Sequence, residues 1–466
     1  MKMRNMLLVL ILVLMLAGCT PAGDAYAPKN IPTAMKAEEA DNFDPVIEFE
    51  SEALERLILN SLHRDGGDIH QSDLDAITNM TIVDGITIAI NSETENIKPI
   101  DDIFPYESAS VEYWEGGPTL ILNDLRFFSN LESLCLISCK VEDWNGLTLA
   151  PSLKRLEINY NDDFNLNSLS TVLFQIKNLT TLDLRFDDIV NISALSGLGV
   201  EELILYGNHL QDVDLESPMA NLKRLDIGCN DFPVANIRRK DYPNLESLSY
   251  KDTNLTQEFK LDALAQFDEL VELNLADCRI KDISALASLT KLKKLDLYGS
   301  QIIDLSALQR MKELEYLNLE LNNVLDISSS RYAWDEKVVD LSPIQFLVNL
   351  KQLNISNNAG MLDISSFDTL TKLEVFLCSG GPVYGCPAIE NNKGLTKLEI
   401  TNTRGIKDLS FLEGMTELTD LDISNGEFED ISVLAELSNL KELHIEGNPI
   451  ADYSVLEQLD LDELVK

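Results

Sequence analysis

Basic residues, histidine and long apolar runs are all in short supply in this chain, and each shortage narrows what it can do. Lys and Arg number 37 against 78 Asp and Glu, a formal charge of −41. A phosphate backbone would be repelled rather than neutralised, so no nucleic-acid partner is predicted. The four histidines, His63, His70, His209 and His444, are scattered along the sequence and offer neither a triad nor a metal-ligand spacing. No glycine-rich phosphate loop is present. With no nucleophile, base and oxyanion donor set placed together, no catalytic residue, metal or cofactor is predicted and the chain is not expected to be an enzyme. What remains is a foldable mixture, 45% hydrophobic and 25% charged, unlike the composition of a disordered chain. At 466 residues it exceeds one ordinary core, which leaves two or three domains or an elongated array. The acid surplus therefore lies on a folded surface, where it attracts cations or basic partners in a salt-dependent way.

One long apolar run does occur. Lys2 and Arg4 precede Met6 to Ala17, a run short for a membrane span and suited to an export signal. It closes on Leu16-Ala17-Gly18-Cys19, which resembles the lipobox of bacterial lipoproteins. The resemblance implies cleavage after residue 18 and lipidation of Cys19, with fatty acyl chains such as palmitate holding the protein on the outer side of a membrane. Residues 19–44, with Pro21, Pro28 and Pro32 and little apolar periodicity, are expected to form a tether. No second apolar span follows, so membrane contact is predicted only through the N-terminal lipid.

Aligned at a period near 22, the rest of the chain becomes one motif repeated. Leu270, Leu292 and Leu314 stand 22 apart, opening units such as Leu270-Val-Glu-Leu-Asn-Leu-Ala-Asp-Cys278, Leu292-Lys-Lys-Leu-Asp-Leu-Tyr-Gly-Ser300 and Leu440-Lys-Glu-Leu-His-Ile-Glu-Gly-Asn448. These resemble the leucine-rich repeat. The pattern can be placed at Leu131, Leu153, Leu179, Val200, Leu222, Leu245, Leu270, Leu292, Leu314, Leu350, Leu373, Leu395, Leu418 and Leu440. Second halves such as Ile280-Lys-Asp-Ile-Ser-Ala-Leu286 and Phe428-Glu-Asp-Ile-Ser-Val-Leu434 are similar to those of internalin-like bacterial proteins. The implied fold is an α/β solenoid: a horseshoe with a parallel concave sheet, short 3₁₀ or irregular convex segments and a helical N-terminal cap. The alternation itself places Leu295 and Leu297 inward and Lys294, Asp296 and Tyr298 outward. Asn208, Asn230, Asn322 and Asn448, with Cys139 and Cys278 in equivalent places, are expected to bond backbone groups where each strand turns away. The Asp of each Asp-Ile-Ser suits the start of a 3₁₀ turn, so these acids are structural first.

The domain plan is a signal at 1–18, tether at 19–44, helical cap at 45–80, degenerate repeats at 81–130, solenoid at 131–452 and terminal cap at 453–466. Ile86–Ile90 and Val111–Tyr113 are predicted as strands of the degenerate repeats, since Asp124-Leu-Arg-Phe-Phe128 then matches the usual Asp-Ile-Ser half. Cys378 should face the core, and Cys378 and Cys386 either pair or remain thiols. On the concave face Glu399, Asp422 and His444 fall in one column, flanked by Asp420, Glu442 and Glu446, an acidic patch for a divalent cation or a basic peptide, or else a solvated acidic face. Tyr206, Tyr298 and Tyr316, with Asp296, are expected to be further concave contacts. Leu314 to Leu350 is 36 residues rather than 22, and the insertion carries Arg331, Tyr332 and Trp334. Either the three are exposed together as interface anchors, or Tyr332 and Trp334 fold back onto the convex side. The predicted function is a surface-anchored scaffold for protein recognition or adhesion at a cell or host surface through its acidic concave face. The alternative is a lipoprotein that binds glycan or wall peptide there, since fold does not fix function.

Overall fold

The computed structural model describes residues 44–64, 66–85, 87–91, 118–161, 165–230, 237–252, 261–302, 304–322, 340–358 and 362–466. Cys19, the strand expected at Val111–Tyr113 and the insertion residues Arg331, Tyr332 and Trp334 lie outside the described residues. The chain divides into units 1–45 and 46–466, and the second carries everything below.

Helix α1, Glu52–Ser61, starts where Ser51 accepts the Leu54 amide, and it buries Leu54, Leu57 and Ile58. Glu52 and Glu55 sit in its first turn, where negative charge suits the helix dipole. The short α2, Gln71–Asp75, is closed by Asp73, which accepts the His70 amide and holds Arg64 at 2.7 Å. Strand β1, Asn79–Val83, then pairs in parallel with β3, Ser133–Ile137. The strand expected at Ile86–Ile90 is present as β2, Thr87–Ile90, but it runs antiparallel to β1. Asp84 and Gly85 both have positive φ and turn the chain into a hairpin. Asp124 also differs from expectation. It is fully buried in a 3₁₀ turn, Leu122–Phe127, and its two oxygens accept the Glu50 and Ser51 amides at 3.0 and 2.8 Å. The carboxylate ties the start of α1 to the first turn of the array.

Short parallel strands follow, one per repeat: β4 Arg155–Asn159, β5 Thr181–Asp183, β6 Glu202–Ile204, β7 Arg224–Asp226, β8 Ser247–Ser249, β9 Glu272–Asn274, β10 Lys294–Asp296, β11 Tyr316–Asn318 and β12 Gln352–Asn354. A two-stranded ladder, β13 Leu362–Asp363 with β15 Val383–Tyr384, stands apart from the main sheet. The main sheet continues through β14 Val375–Cys378, β16 Lys397–Ile400, β17 Asp420–Asp422, β18 Glu442–His444 and β19 Glu463–Val465, giving 17 strands. Register is strict. Leu273, Leu295, Leu317, Leu353, Phe376, Leu398, Leu421 and Leu443 are successive partners and all are buried. No repeat can bury its leucines alone, so the core is one continuous column. Cys378 and Cys386 are both fully buried free thiols. Burial pushes the Cys386 thiol up to about 12.

Opposite the strands, 3₁₀ turns such as Ser284–Ser288, Ser306–Arg310 and Ser432–Glu436 begin as the sequence pattern implies. Asp282, Asp304, Asp408, Asp430 and Asp452 each accept the amide of the serine two residues on, at 2.8 to 3.0 Å. One repeat substitutes a true helix, α3 Leu166–Leu173, capped by Asn165. At the other edge of the sheet, scarce lysines are spent between repeats: Lys154 on Glu132, Lys223 on Glu201 and Lys351 on Glu315, each at 2.7 to 2.9 Å.

The third residue after β5, β6, β7, β9, β10, β11, β12, β17 and β18 has positive φ, a left-handed turn that releases the chain from the sheet. Gly207, at φ +69, occupies one of these places because a Cβ there would collide with the Phe186 ring leaning over from the preceding repeat. The fourth residue points into the interior. Asn208, Asn230, Asn322 and Asn448 sit there as expected, each donating to backbone carbonyls of its own and the preceding repeat.

Candidate functional site: the concave face

Two outward columns run along the concave sheet, set by the first and last residues of each three-residue strand. The last-residue column is rich in Asp and Asn for a backbone reason. Asp226, Asn274, Asp296, Asn318, Asn354 and Asp422 each accept the amide two residues further on, at 2.9 to 3.0 Å. Each side chain thereby folds back to close its own strand, as Asx turns do. Asp296 and Asp422 were expected as partner contacts, and part of each is committed to this task. Burial raises the Asp296 carboxyl above the usual aspartate range despite the Tyr298 amide it accepts.

Glu399 and His444 break the column's Asx pattern. Register makes Glu399, Asp422 and His444 direct neighbours, and Lys397, Asp420, Glu442 and Glu463 direct neighbours in the column beside them. Neighbouring strands stand about 4.8 Å apart, so these groups share one patch. His444 Nε2 lies 3.3 Å from Glu463 Oε1 and its Nδ1 3.9 Å from Asp422 Oδ2. Lys397 Nζ is 3.8 Å from Asp420 Oδ1. The Glu442 carboxyl is held above its usual range by its hydrogen bond with Asp420 and by that neighbour's charge. Glu446 belongs to the same end, two residues beyond His444, and is half-buried. Glu463 and Lys397 were not anticipated: Lys397 was readable as the first strand residue of its repeat, whereas Glu463 lies beyond the last recognised unit.

Over β4–β8 the chemistry is different, because cations are present and engaged. Arg155 meets Glu157 at 2.5 Å and Glu202 at 3.6 Å, Arg224 meets Glu202 at 3.0 Å, and Arg185 grips the fully buried Asp183 at 3.1 and 2.6 Å. Tyr206 is a correction to the expected exposed contact. It is only 4% exposed, its hydroxyl donates to Asp252 Oδ2 at 2.8 Å, and Lys251 Nζ lies 4.9 Å from its ring centre. Gly228 makes this possible, since a Cβ there would stand 2.9 Å from the ring. Tyr298 and Tyr316 remain half-exposed, and burial followed by neighbouring carboxylates raises both phenols. Among the described residues, no group of three or more His, Cys, Asp or Glu is arranged to hold a metal ion, and no helix is long and apolar enough to cross a membrane.

Residues 268–310, which contain β9 and β10, match the family described as leucine rich repeats (2 copies). The fold is a leucine-rich-repeat solenoid. No curated protein matches the chain by sequence. Among solved structures, a leucine-rich-repeat protein of Leptospira interrogans is 19% identical with a TM-score of 0.56, over 73% of this chain and 86% of that one. The ectodomain of an Arabidopsis thaliana membrane receptor kinase, in complex with Casparian strip integrity factor 2, is 18% identical with a TM-score of 0.53, over 73% of this chain and 48% of that one. An internalin from Listeria monocytogenes aligns over 89% of this chain and 95% of that one, at 20% identity and a TM-score of 0.48. At these identities the likeness is one of fold.

Proposed function

We propose that the protein is a recognition scaffold on the outside of a bacterial cell, anchored by lipid at Cys19, whose C-terminal concave face binds a basic protein partner on a cell or host surface. The observation that supports this reading is the register of β16–β19. It gathers Glu399, Asp420, Asp422, Glu442 and Glu463 around one lysine, Lys397, and one histidine, His444, with Glu446 two residues beyond that histidine. Carboxylates crowded enough to raise Glu442 repel one another and gain from a cation brought by a partner. Leucine-rich-repeat solenoids in general mediate protein–protein interaction, and the plant ectodomain was solved in complex with Casparian strip integrity factor 2.

The test is capture from surface and extracellular extracts by the immobilised protein beside a variant carrying Glu399→Gln, Asp420→Asn, Glu442→Gln and His444→Ala. These four leave the Asx closures of the strands intact. A basic protein retained by the wild type, released by salt and lost by the variant supports the reading. Equal capture by both refutes the acidic face as the site, and recovery of wall glycan alone moves the function to polymer binding.

A further inference from the structure

Among the described residues, the interior ladder that runs through Asn208, Asn230 and Asn322, with Cys139, Cys278, Ser300 and Thr403 in equivalent places, has one member of the wrong charge. Asn208 accepts the amides of Asp187 and Ile189 and donates to the carbonyls of Leu184 and Leu205. Asn230, Asn322, Asn358 and Asn448 donate in the same way. Where cysteine replaces asparagine the thiol takes over the donation, from Cys139 to Ile82 and Ile137 and from Cys278 to Tyr250 and Ala276. The shorter hydroxyls of Ser300 and Thr403 make no bond. At this interior position the backbone therefore presents carbonyl oxygens and calls for a donor.

Asp187 occupies that position after β5 and is 3% exposed. Its Oδ1 accepts from Asn161, the backbone amide at 2.9 Å and Nδ2 at 3.3 Å. Its Oδ2 has no hydrogen-bond partner. The side chains bonded to this residue from the flanking repeats are neutral amides: Asn161 donates to its carboxylate, and Asn208 accepts its backbone amide. The nearby charges are Asp183 and Asp188. Asp183 is held by Arg185, and Asp188 lies 3.3 Å from His209. An ionised carboxylate here would bury a charge with one oxygen unpaired, at a position where other members of the ladder donate to carbonyl oxygens.

We infer that Asp187 carries a proton in the folded protein, its Oδ2–H donating where a ladder asparagine's Nδ2 donates, so that this joint of the solenoid weakens as the medium turns alkaline. Burial, and then the charges of Asp183 and Asp188, push the carboxyl up to about 8, against an ordinary 3.8. Between those values the folded chain holds one proton more than the unfolded chain. Stability is complete at the acid end of that window and falls as pH rises through it, by up to tenfold in the folding equilibrium per pH unit, and levels off above the folded value.

The test compares wild type with Asp187→Asn and Asp187→Cys, the two donors the ladder already uses. Urea unfolding and hydrogen exchange around residues 156–189 would be followed from about pH 5 to about pH 9. Wild type should weaken with pH relative to both variants, the profiles separating until about pH 8 and then running parallel. Infrared spectra of the folded wild type near neutral pH should show a protonated-carboxyl band that Asp187→Asn removes. Parallel profiles over the whole range, an unchanged infrared band, or failure of both variants to fold would each overturn the assignment.

Discussion

Replacing Asn208 by alanine tests the ladder's contribution directly. The side chain is 3% exposed and makes four backbone bonds: the Asp187 and Ile189 amides to Oδ1 at 3.0 Å each, and Nδ2 to Leu184 and Leu205 at 2.7 and 2.9 Å. The Leu205 carbonyl keeps a second donor, Asn230, at 3.0 Å. Alanine thus strands two amides and the Leu184 carbonyl in the interior. Each stranded group costs about 1–3 kcal/mol, and a water entering the vacated space would recover part of that. The expected loss is about 4 kcal/mol. Urea unfolding followed by circular dichroism reads the total, and hydrogen exchange shows where it falls, because a repeat array opens locally before it unfolds as a whole. Exposure should concentrate at β5 and β6. Asn208→Cys retains a donor and should fall between alanine and wild type. A loss below about 1 kcal/mol for alanine, or exchange spread evenly along the array, would refute the view that these side chains rather than the leucines alone hold the turns.

Gly207→Ala should cost about 1–2 kcal/mol for the left-handed backbone alone, with a further loss as the Phe186 ring is displaced; Phe186→Ala in the same background should relieve that further part, measured by urea midpoints. On the acid side, the serine amides they accept hold Asp282, Asp304, Asp430 and Asp452 below the usual 3.8, with Asp408 held down chiefly by its bond to the Ser410 side chain. Stability from a lowered carboxylate is present above its unfolded value and lost as pH falls through its folded one. Unfolding should therefore begin below about pH 4, and an acid titration with these five changed to Asn should show a shallower decline.

The repeat frame was legible because leucine spacing is set by geometry. Leu295 and Leu297 had to lie inside once Lys294, Asp296 and Tyr298 alternated with them, and the Asp-Ile-Ser turns were legible because a short acceptor two residues before a free amide has one sensible use. Direction of pairing at the N-terminal end was not legible from periodicity. Its signal was the Asp84-Gly85 pair, a hairpin dipeptide between apolar runs, and it is local rather than periodic. Asp124 fitted the Asp-Ile-Ser pattern and yet serves the amides of Glu50 and Ser51, over 70 residues earlier in the chain, a contact that depends on where the cap docks. Tyr206 read as an exposed concave residue because its strand position is outward. Its burial depends on Gly228 in the next repeat and on Lys251 and Asp252 in the one after, and alternation within one unit carries no information about those.

Two tasks compete for the concave floor, and their competition narrows where a partner can bind. The last residue of a three-residue strand must close the strand or face outward, and an Asp or Asn there does the first by turning to its own amide. Across β7, β9, β10, β11, β12 and β17 that choice has been made for the backbone. Over β4–β8 the outward charges are drawn instead into Arg–carboxylate pairs. The first-residue column makes no Asx turn, and from β16 to β19 its acids Asp420, Glu442 and Glu463 outnumber Lys397. Glu399 and His444 interrupt the Asx pattern in the same place. The acid left over after both structural demands are met therefore accumulates at one end of the face. A basic partner should find its electrostatic anchor there even though negative charge is distributed along the whole chain.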